Sequence, residues 1–286
     1  MSDVEERPPS EGRVRMVVTD FDGTLYHDGR IDEKDMQALK RAGNNGMVTA
    51  LATGRSLFSL RRTLGGRELP LDFLILSTGI GVVHQRSDRA IRSAVLQERT
   101  ANAAVRALMK MDVDFTVHRE FPDNHRFSYY RSTTRSTPDL TRRIELYQGF
   151  CEPLNADSGF SGRAAQLVAV CGEEEGESIL SRVTGRLARS LSMVRTTSPL
   201  DGHSLWIEML PMGVSKGSCV EWLAGHLGIK RELVVALGND YNDSDMLKWA
   251  GRSFVVDGAP DTLAASYENV PAGGGVAEAL GKLEPR

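Results

Sequence analysis

The chain has 286 residues, more than one compact core usually holds, so its length predicts two domains or one domain with a large insertion. Hydrophobic residues make up 41% and charged residues 26%, proportions that are typical of a folded protein and exclude a disordered one. With 35 basic and 38 acidic residues the net charge is −3, which argues against a nucleic-acid binder that works through bulk electrostatics.

The sequence also indicates a cellular compartment. No run approaches the roughly 18 apolar residues that a membrane span needs, and the first residues are charged where a signal peptide needs an apolar core. Cys151, Cys171 and Cys219 are odd in number and far apart, so they predict neither a disulfide framework nor a CxxC site. We therefore expect a cytoplasmic protein with no membrane or nucleic-acid partner, and a flexible tail over residues 1–13.

The first part of the chain alternates strands and helices. Residues 14–18 form an apolar run of strand length, and Asp32 can cap a helix that follows it. Residues 47–51 and 71–76 predict two more strands, with a helix capped by Ser56 between them. This order is typical of a parallel sheet with right-handed crossovers.

The same alternation returns near the end of the chain. Ser215 can cap a helix, and residues 233–237 and 254–256 have the composition of strands with a short helix between them. Pro260 is a suitable start for a further helix. The late elements therefore continue the α/β pattern of the early ones.

The middle of the chain has a different texture. Polar helices, for example around residues 97–111, mix with alternating strands such as 115–118. The sequence therefore predicts a doubly wound, Rossmann-like α/β core over residues 14–84 and 209–286, with an α+β domain inserted over residues 85–208.

Two carboxylates stand at the end of the first predicted strand, in the segment Asp20-Phe21-Asp22-Gly23-Thr24-Leu25. Because side chains alternate along a strand, Asp20 and Asp22 point the same way into one pocket. Two like charges so close are costly unless a cation lies between them or one is protonated. Gly23 permits a sharp turn. One carboxylate can attack an electrophile while the other moves protons; an Asp-rich turn without function is the alternative, which the six-residue pattern disfavours.

Two further segments carry groups suited to an anion. In Ala52-Thr53-Gly54-Arg55-Ser56, a hydroxyl beside a glycine at a helix N-terminus can donate to a phosphate oxygen, although the same residues are also ordinary helix punctuation. In Gly213-Val214-Ser215-Lys216-Gly217, Lys216 lies in the first helical turn, where a cation opposes the helix dipole. This placement indicates that Lys216 faces an anion, with a solvated surface lysine as the alternative.

A fourth segment, Gly238-Asn239-Asp240-Tyr241-Asn242-Asp243, follows the strand predicted over residues 233–237. Oxygen-bearing side chains at a strand end suit Mg²⁺. A polar turn capped by Asp243 is the alternative, and it does not explain the whole cluster. Three of the four segments follow predicted strands of the α/β core, and doubly wound sheets place ligand sites at such positions.

The order and spacing of the four segments resemble the haloacid dehalogenase (HAD) superfamily, in its Cof-type branch of phosphatases with a class IIB cap. The resemblance covers residues 14–84 and 209–286, whereas the inserted domain matches by position and size alone. It implies a Mg²⁺-dependent phosphomonoester hydrolase, monomeric or homodimeric, whose cap selects a sugar phosphate or another small phosphorylated metabolite. The alternatives are a sugar phosphomutase of the same superfamily and a phosphate-binding protein with little turnover.

The resemblance also implies roles for individual residues. Asp20 corresponds to the nucleophile that forms an aspartyl-phosphate, and Asp22 corresponds to the general acid and base. The groups that hold the phosphoryl oxygens would be Thr53, Gly54, Lys216, Asn242 and the backbone N–H of Phe21. The metal ligands would be Asp20, Asp22 through its backbone carbonyl, Asn239 and Asp243.

Two positions depart from the family pattern. Most relatives have Gly-Asp where this chain has Gly238-Asn239, and an amide oxygen coordinates without charge, so weaker metal binding is expected unless Asp240 or Asp243 supplies the anion. Ser77-Thr78-Gly79 stands where relatives often have Ser-Asn-Gly. In the inserted domain, a basic stretch either meets an anionic substrate or, as the plainer interpretation, lies on a solvated surface: Arg119, Arg126, Arg131 and Arg135.

Overall fold

The computed structural model of the chain describes residues 14–134, 136–155, 157–198 and 200–283. The tail predicted over residues 1–13 lies outside these ranges. Within them, no helix is both long enough and apolar enough to cross a membrane.

The first core elements follow the predicted alternation. Their order is β1 (Met16–Thr19), β2 (Tyr26–His27), β3 (Arg30–Ile31), α1 (Glu33–Asn44), β4 (Val48–Ala52), α2 (Leu57–Leu64), β5 (Phe73–Leu76), β6 (Gly81–His84) and β7 (Arg89–Ser93). Asp32 and Ser56 cap α1 and α2 as predicted, because each side chain accepts a backbone N–H of the first helical turn.

The inserted domain is an α+β unit built on one sheet. Its elements are α3 (Glu98–Met111), β8 (Asp114–Arg119), β9 (Phe127–Tyr130), α4 (Pro138–Leu146), β10 (Cys151–Pro153), β11 (Ala164–Cys171), α5 (Glu173–Leu187), β12 (Leu191–Thr197) and β13 (Leu205–Pro211). The strands are ordered β10-β9-β8-β11-β13-β12. Helices α3 and α5 pack on one face of this sheet, whereas α4 packs on the other, where Leu140 contacts Val168 and Trp206.

The chain then returns to the core. The last elements are α6 (Lys216–His226), β14 (Val234–Gly238), α7 (Ser244–Trp249), β15 (Arg252–Val256), α8 (Asp261–Ala264), β16 (Glu268–Val270) and α9 (Gly275–Gly281). Ser215 caps α6 as predicted, since its side chain accepts the backbone N–H of Ser218.

The core sheet has the strand order β16-β15-β14-β1-β4-β5-β6-β7. The strands from β16 to β5 are parallel, and the antiparallel hairpin of β6 and β7 extends one edge. Strand β1 is buried on both faces, with Val17 in one hydrophobic cluster and Met16 and Val18 in the other. The chain connects β1 to β4 on one side and reaches β14 on the other, so a crevice forms at the carboxyl end of β1.

The predicted arrangement of an α/β core with an inserted α+β domain is present, but the boundaries differ by several residues. Strand β7 pairs with β6 in the core sheet, so the core continues to Ser93 rather than to residue 84. Strand β13 keeps the inserted sheet to Pro211 rather than to residue 208. The side chains of β7 are mostly exposed at the sheet edge, so the sequence of this strand is polar and resembles the inserted domain in composition.

Candidate active site

Three strand ends converge at the centre of the core sheet. Asp20 follows β1, and Thr53 and Asn239 follow β4 and β14, the two strands that flank β1. Lys216 begins α6, which packs beside these strands. Residues that are nearly 200 positions apart in the sequence therefore meet at one sheet edge.

Lys216 lies between two carboxylates. Its Nζ is 2.6 Å from Oδ1 of Asp20 and 2.6 Å from Oδ1 of Asp243. A third oxygen, Oδ1 of Asn242, lies 3.4 Å away. The Lys216 side chain is only 1% exposed, which excludes the alternative of a solvated surface lysine.

Burial and ion pairing set the charges of this cluster. Burial by itself would lower the pKa of Lys216, but Asp20 and Asp243 outweigh it and raise the pKa, so the ammonium form is stable. Burial and the charge of Asp243 raise the pKa of Asp20 to about 7, and Lys216 limits the rise. An attacking carboxylate must be ionised, so Asp20 depends on nearby positive charge at neutral pH.

Asp243 and Asp240 hold the turn after β14. Oδ2 of Asp243 accepts the backbone N–H groups of Asn239 at 2.9 Å and Asp240 at 3.1 Å, while its Oδ1 pairs with Lys216. Both oxygens of Asp243 are therefore engaged within the protein, and the metal-ligand role that the family resemblance implies for Asp243 stays a prediction. Asp240 accepts the backbone N–H of Thr197 at 3.1 Å and so faces the inserted domain.

The side-chain amide of Asn239 lies against oxygen atoms of the first segment. One of its two terminal atoms is 3.0 Å from the Asp22 carbonyl oxygen, 3.2 Å from Oδ2 of Asp20 and 3.2 Å from Oγ1 of Thr24. This terminal position can hold either the amide nitrogen or the amide oxygen. With the amide nitrogen in that position, Asn239 donates to these three oxygens. With the amide oxygen there, Thr24 donates to it, and oxygens of Asp20, Asp22 and Asn239 gather in one place.

This group of three oxygens fits a hard cation such as Mg²⁺, which prefers carboxylate, carbonyl and amide oxygens. It contains one carboxylate, one backbone carbonyl and one amide. No cluster of three or more His, Cys, Asp or Glu side chains suited to a metal occurs in the described part of the chain, so the amide and the carbonyl are needed to complete a metal site. We call these atoms of Asp20, Asp22 and Asn239 the three-oxygen group.

Gly23 allows the first segment to approach Asn239. Its φ is +80°, in the left-handed region that favours glycine, and a Cβ at this position would lie 2.1 Å from Nδ2 of Asn239. The turn predicted at Gly23 is therefore required by the backbone conformation and by the close contact.

The segment after β4 supplies a second wall. Thr53 is fully buried, and its Oγ1 accepts the backbone N–H of Arg55 at 3.1 Å. Gly54 lines the adjoining cavity. Arg55 turns back over the ring of Phe21 and donates two hydrogen bonds to Asp22, Nε to Oδ2 at 2.7 Å and Nη2 to Oδ1 at 2.6 Å. Sequence reasoning missed Arg55, although its place in the segment after the neighbouring strand was a usable signal.

A third wall joins the core to the inserted domain. Ser77 and Thr78 have φ values of +49° and +56°, a conformation that residues other than glycine rarely adopt. The Thr78 hydroxyl donates to the carboxylate of Glu208 on β13. Burial raises the pKa of Glu208. Glu208 was not predicted as a site residue, because in the sequence it is one polar residue of an alternating strand.

The site opens into a cavity of about 580 Å³ between the core and the inserted domain. The core lines it with Asp20, Asp22, Gly54, Arg55, Asn239 and Asn242, among others. The inserted domain contributes His118, Asn124, His125, Arg143, Tyr147, Gln166, Thr196, Trp206 and Glu208. In the basic stretch of the inserted domain, Arg119, Arg126 and Arg131 are exposed, which favours a solvated surface over contact with a substrate. Arg135 lies outside the described residues.

Comparison with known proteins identifies the family of the chain. A family model described as haloacid dehalogenase-like hydrolase matches residues 17–280. An HMP-PP phosphatase from Enterobacter sp. (strain 638) is 27% identical over 90% of this chain and 89% of its own length. The 5-amino-6-(5-phospho-D-ribitylamino)uracil phosphatase YwtE from Bacillus subtilis (strain 168) is 23% identical over 87% of this chain and 90% of its own length.

A solved structure shows the same fold. A HAD subclass IIB sugar phosphatase superposes with a TM-score of 0.72 at 20% identity, over 94% of this chain and 98% of its own. The family resemblance seen in the sequence motifs is confirmed by the family model. The chain belongs to the haloacid dehalogenase-like hydrolases and is a phosphatase of that superfamily.

Proposed function

We propose that this phosphatase is a Mg²⁺-dependent phosphomonoester hydrolase that acts on a small phosphorylated metabolite through an aspartyl-phosphate. The observation that carries the proposal is the position of Asp20. Its Oδ1 is held by Lys216 at 2.6 Å, and its Oδ2 belongs to the three-oxygen group, 3.2 Å from the Asn239 amide. Each carboxylate oxygen thus faces a place for positive charge, which favours the ionised, nucleophilic form.

The reaction follows from the two aspartates. An oxygen of Asp20 attacks phosphorus, and the bond from phosphorus to the ester oxygen breaks. Asp22, which enters this step as the protonated acid, gives its proton to that oxygen as it leaves. Asp22 then accepts a proton from the water that hydrolyses the aspartyl-phosphate, while Arg55 keeps its carboxylate oriented. Thr53, Asn242 and Lys216 would hold the phosphoryl oxygens. Mg²⁺ bound at the three-oxygen group would supply charge neutralisation for the phosphate dianion.

The substrate class is supported by the cavity and by the relatives. A volume of about 580 Å³, bounded by the inserted domain, is in the range of small-molecule sites. The relatives are named for HMP-PP and for a phosphorylated ribitylaminouracil, and the structural neighbour is a sugar phosphatase. Sugar phosphates and phosphorylated uracil derivatives are therefore the first compounds to screen.

Turnover of a generic substrate tests the proposal directly. The purified protein is expected to release 4-nitrophenol from 4-nitrophenyl phosphate with Mg²⁺, to lose this activity in EDTA and to regain it when Mg²⁺ is restored. Binding without turnover across a broad panel of phosphomonoesters would favour the phosphate-binding alternative. Isomerised sugar phosphate without free phosphate would favour the mutase.

Replacing Asn239 by aspartate tests the three-oxygen group. Asn239→Asp adds a negative charge beside Asp20, so we expect the Mg²⁺ concentration for half-maximal activity to fall by a factor on the order of ten. Calorimetric titration of Mg²⁺ into the protein should show the same change in affinity. The exposed Asn269→Asp is the control, and an unchanged Mg²⁺ requirement in Asn239→Asp would count against Asn239 as a ligand.

Substrates whose leaving groups differ in their need for a proton test the role of Asp22 as the general acid. Asp22→Asn is expected to slow formation of the phosphoenzyme from glycerol 3-phosphate by roughly 10²–10⁴-fold. The loss should be much smaller for 4-nitrophenyl phosphate, because nitrophenolate leaves without a proton. Rapid-mixing measurement of the first turnover isolates this step from the later hydrolysis. Equal losses on both substrates would remove Asp22 from the acid role.

A further inference from the structure

One arginine in the cavity wall has no part in the chemistry above. Arg143 lies on α4 of the inserted domain and lines the cavity into which Asp20 faces. It forms no ion pair with any Asp or Glu of the described residues. Its Nη2 lies within hydrogen-bond distance of a neutral histidine, 3.4 Å from Nε2 of His118. A cation that is largely removed from water and has no paired anion destabilises the folded state, unless a ligand supplies the anion.

The immediate surroundings of Arg143 are aromatic and uncharged. Its Cζ lies 4.3 Å from the ring centroid of Trp206, and Phe127 and Tyr147 lie at 5.5 Å and 5.8 Å. Nδ1–H of His118 donates to a backbone carbonyl at 2.7 Å, so Nε2 is the acceptor that faces Arg143. Burial and the charge of Arg143 lower the pKa of His118 to about 3, which keeps the imidazole neutral. These groups orient the guanidinium and leave its charge unpaired.

Two acids of the inserted domain interact with Arg143 at longer range but are bonded elsewhere. Asp139 accepts the Trp206 indole N–H at 2.6 Å and a serine hydroxyl at 2.8 Å. Glu208 accepts the hydroxyl of Thr78. Burial lowers the pKa of Arg143, and the charges of these two acids offset only part of that effect. Neither acid forms a hydrogen bond with Arg143. Nε of Arg143 is buried and without a partner.

Other polar atoms in the same wall also lack partners. The side-chain oxygens Oδ1 of Asn124, Oε1 of Gln166 and Oγ1 of Thr196 are buried without a hydrogen bond, and all three residues line the cavity. A buried polar atom without a partner destabilises the folded state because it has lost its hydrogen bonds to water. Several of them beside an unpaired cation indicate a wall shaped for a polar, charged ligand.

We propose that the leaving group of the substrate carries a second anion, a carboxylate or a further phosphate, which Arg143 binds while the scissile phosphate lies at Asp20. This inference rests on the proposed function and narrows its substrates to doubly anionic metabolites. The planar guanidinium matches two oxygens of either group. Hydroxyl or amino groups between the two anions would meet the unpartnered oxygens of Asn124, Gln166 and Thr196.

Two pairs of phosphate esters test the inference. 3-Phosphoglycerate differs from glycerol 3-phosphate by a carboxylate, and fructose 1,6-bisphosphate differs from fructose 6-phosphate by a phosphate. In the wild-type protein we expect kcat/KM to be at least about ten-fold higher for the doubly anionic member of one pair. Arg143→Gln should bring that ratio close to one, whereas Arg106→Gln, which removes an exposed arginine of α3, should preserve it.

The variants separate recognition from folding. Arg143→Lys keeps the charge but not the planar fork, so we expect it to retain part of the preference even if Arg143→Gln packs poorly against Trp206. Equal kcat/KM within both pairs for the wild type would overturn the inference, as would an unchanged ratio in Arg143→Gln. Absence of turnover on every ester, including 4-nitrophenyl phosphate, would instead contradict the proposed function, and calorimetric binding of the same pairs would then still test Arg143.

Discussion

Asp20→Asn is expected to abolish phosphatase activity and leave the fold intact. The amide keeps the shape of the carboxylate but cannot form the phosphorus–oxygen bond, so the rate with 4-nitrophenyl phosphate should fall by at least about 10⁴-fold. Because burial raises the pKa of Asp20, a neutral amide removes an ionisation that the folded state disfavours. Lys216 keeps its pairing with Asp243, so the free energy of unfolding is not expected to decrease.

Asp28→Asn provides a matched control for that variant. Asp28 is exposed, lies eight residues away and has a φ of +48°, a conformation that asparagine also tolerates. We expect its activity to be unchanged. Mass spectrometry of the acid-quenched reaction should find a phosphorylated peptide containing residue 20 in the wild type and none in Asp20→Asn. A variant that keeps several per cent of the activity would refute the nucleophilic role of Asp20.

Lys216→Met is expected to lose both activity and stability. It leaves the buried carboxylates of Asp20 and Asp243 without the cation that lies 2.6 Å from each. Removing one partner of a buried ion pair typically costs about 3–5 kcal/mol, so the free energy of unfolding in urea should fall by that amount. Lys216→Arg keeps the charge and should recover part of the stability without restoring the rate, since the larger guanidinium crowds the site.

The stability loss in Lys216→Met should depend on pH in a defined direction. The folded-state pKa of Asp20, about 7, lies above its ordinary value of 3.8. Between these values the folded state binds more protons than the unfolded state, so this carboxyl lowers the free energy of unfolding as the pH rises. Lys216 limits the effect, so its removal enlarges it. The variant should therefore be closer to wild type near pH 5 than near pH 8.

A second substitution separates charge from packing. The single variant Lys216→Met leaves two unpaired carboxylates, and adding Asp243→Asn removes one of them. The asparagine oxygen can still accept the backbone N–H groups of Asn239 and Asp240. We expect the double variant to recover part of the free energy of unfolding but none of the activity. Additive losses in this double-mutant cycle would show that the Lys216–Asp243 ion pair contributes little.

The sequence predicted most of the core because its signals are local. Apolar runs of strand length and the capping residues Asp32, Ser56 and Ser215 located the elements to within a few residues. Parallel strands bring their carboxyl ends to one sheet edge, so the strand ends predicted Asp20, Thr53 and Asn239 at one site. Lys216 begins a helix, and its place beside Asp20 was implied by the family resemblance. Strand β7 was assigned to the inserted domain because its exposed residues carry no core pattern.

What the sequence alone determined, then, is the α/β core with its insertion and the group of residues at the end of β1. Tertiary structure decided which polar residues of the insertion turn toward that group. Arg142 and Arg143 are adjacent and chemically identical, yet the packing of α4 through Leu140 leaves Arg142 exposed and places Arg143 in the cavity wall. The physical reason is that hydrogen bonds and ion pairs act over a few ångströms, so they form between whichever side chains the packing brings together, whatever their separation along the chain.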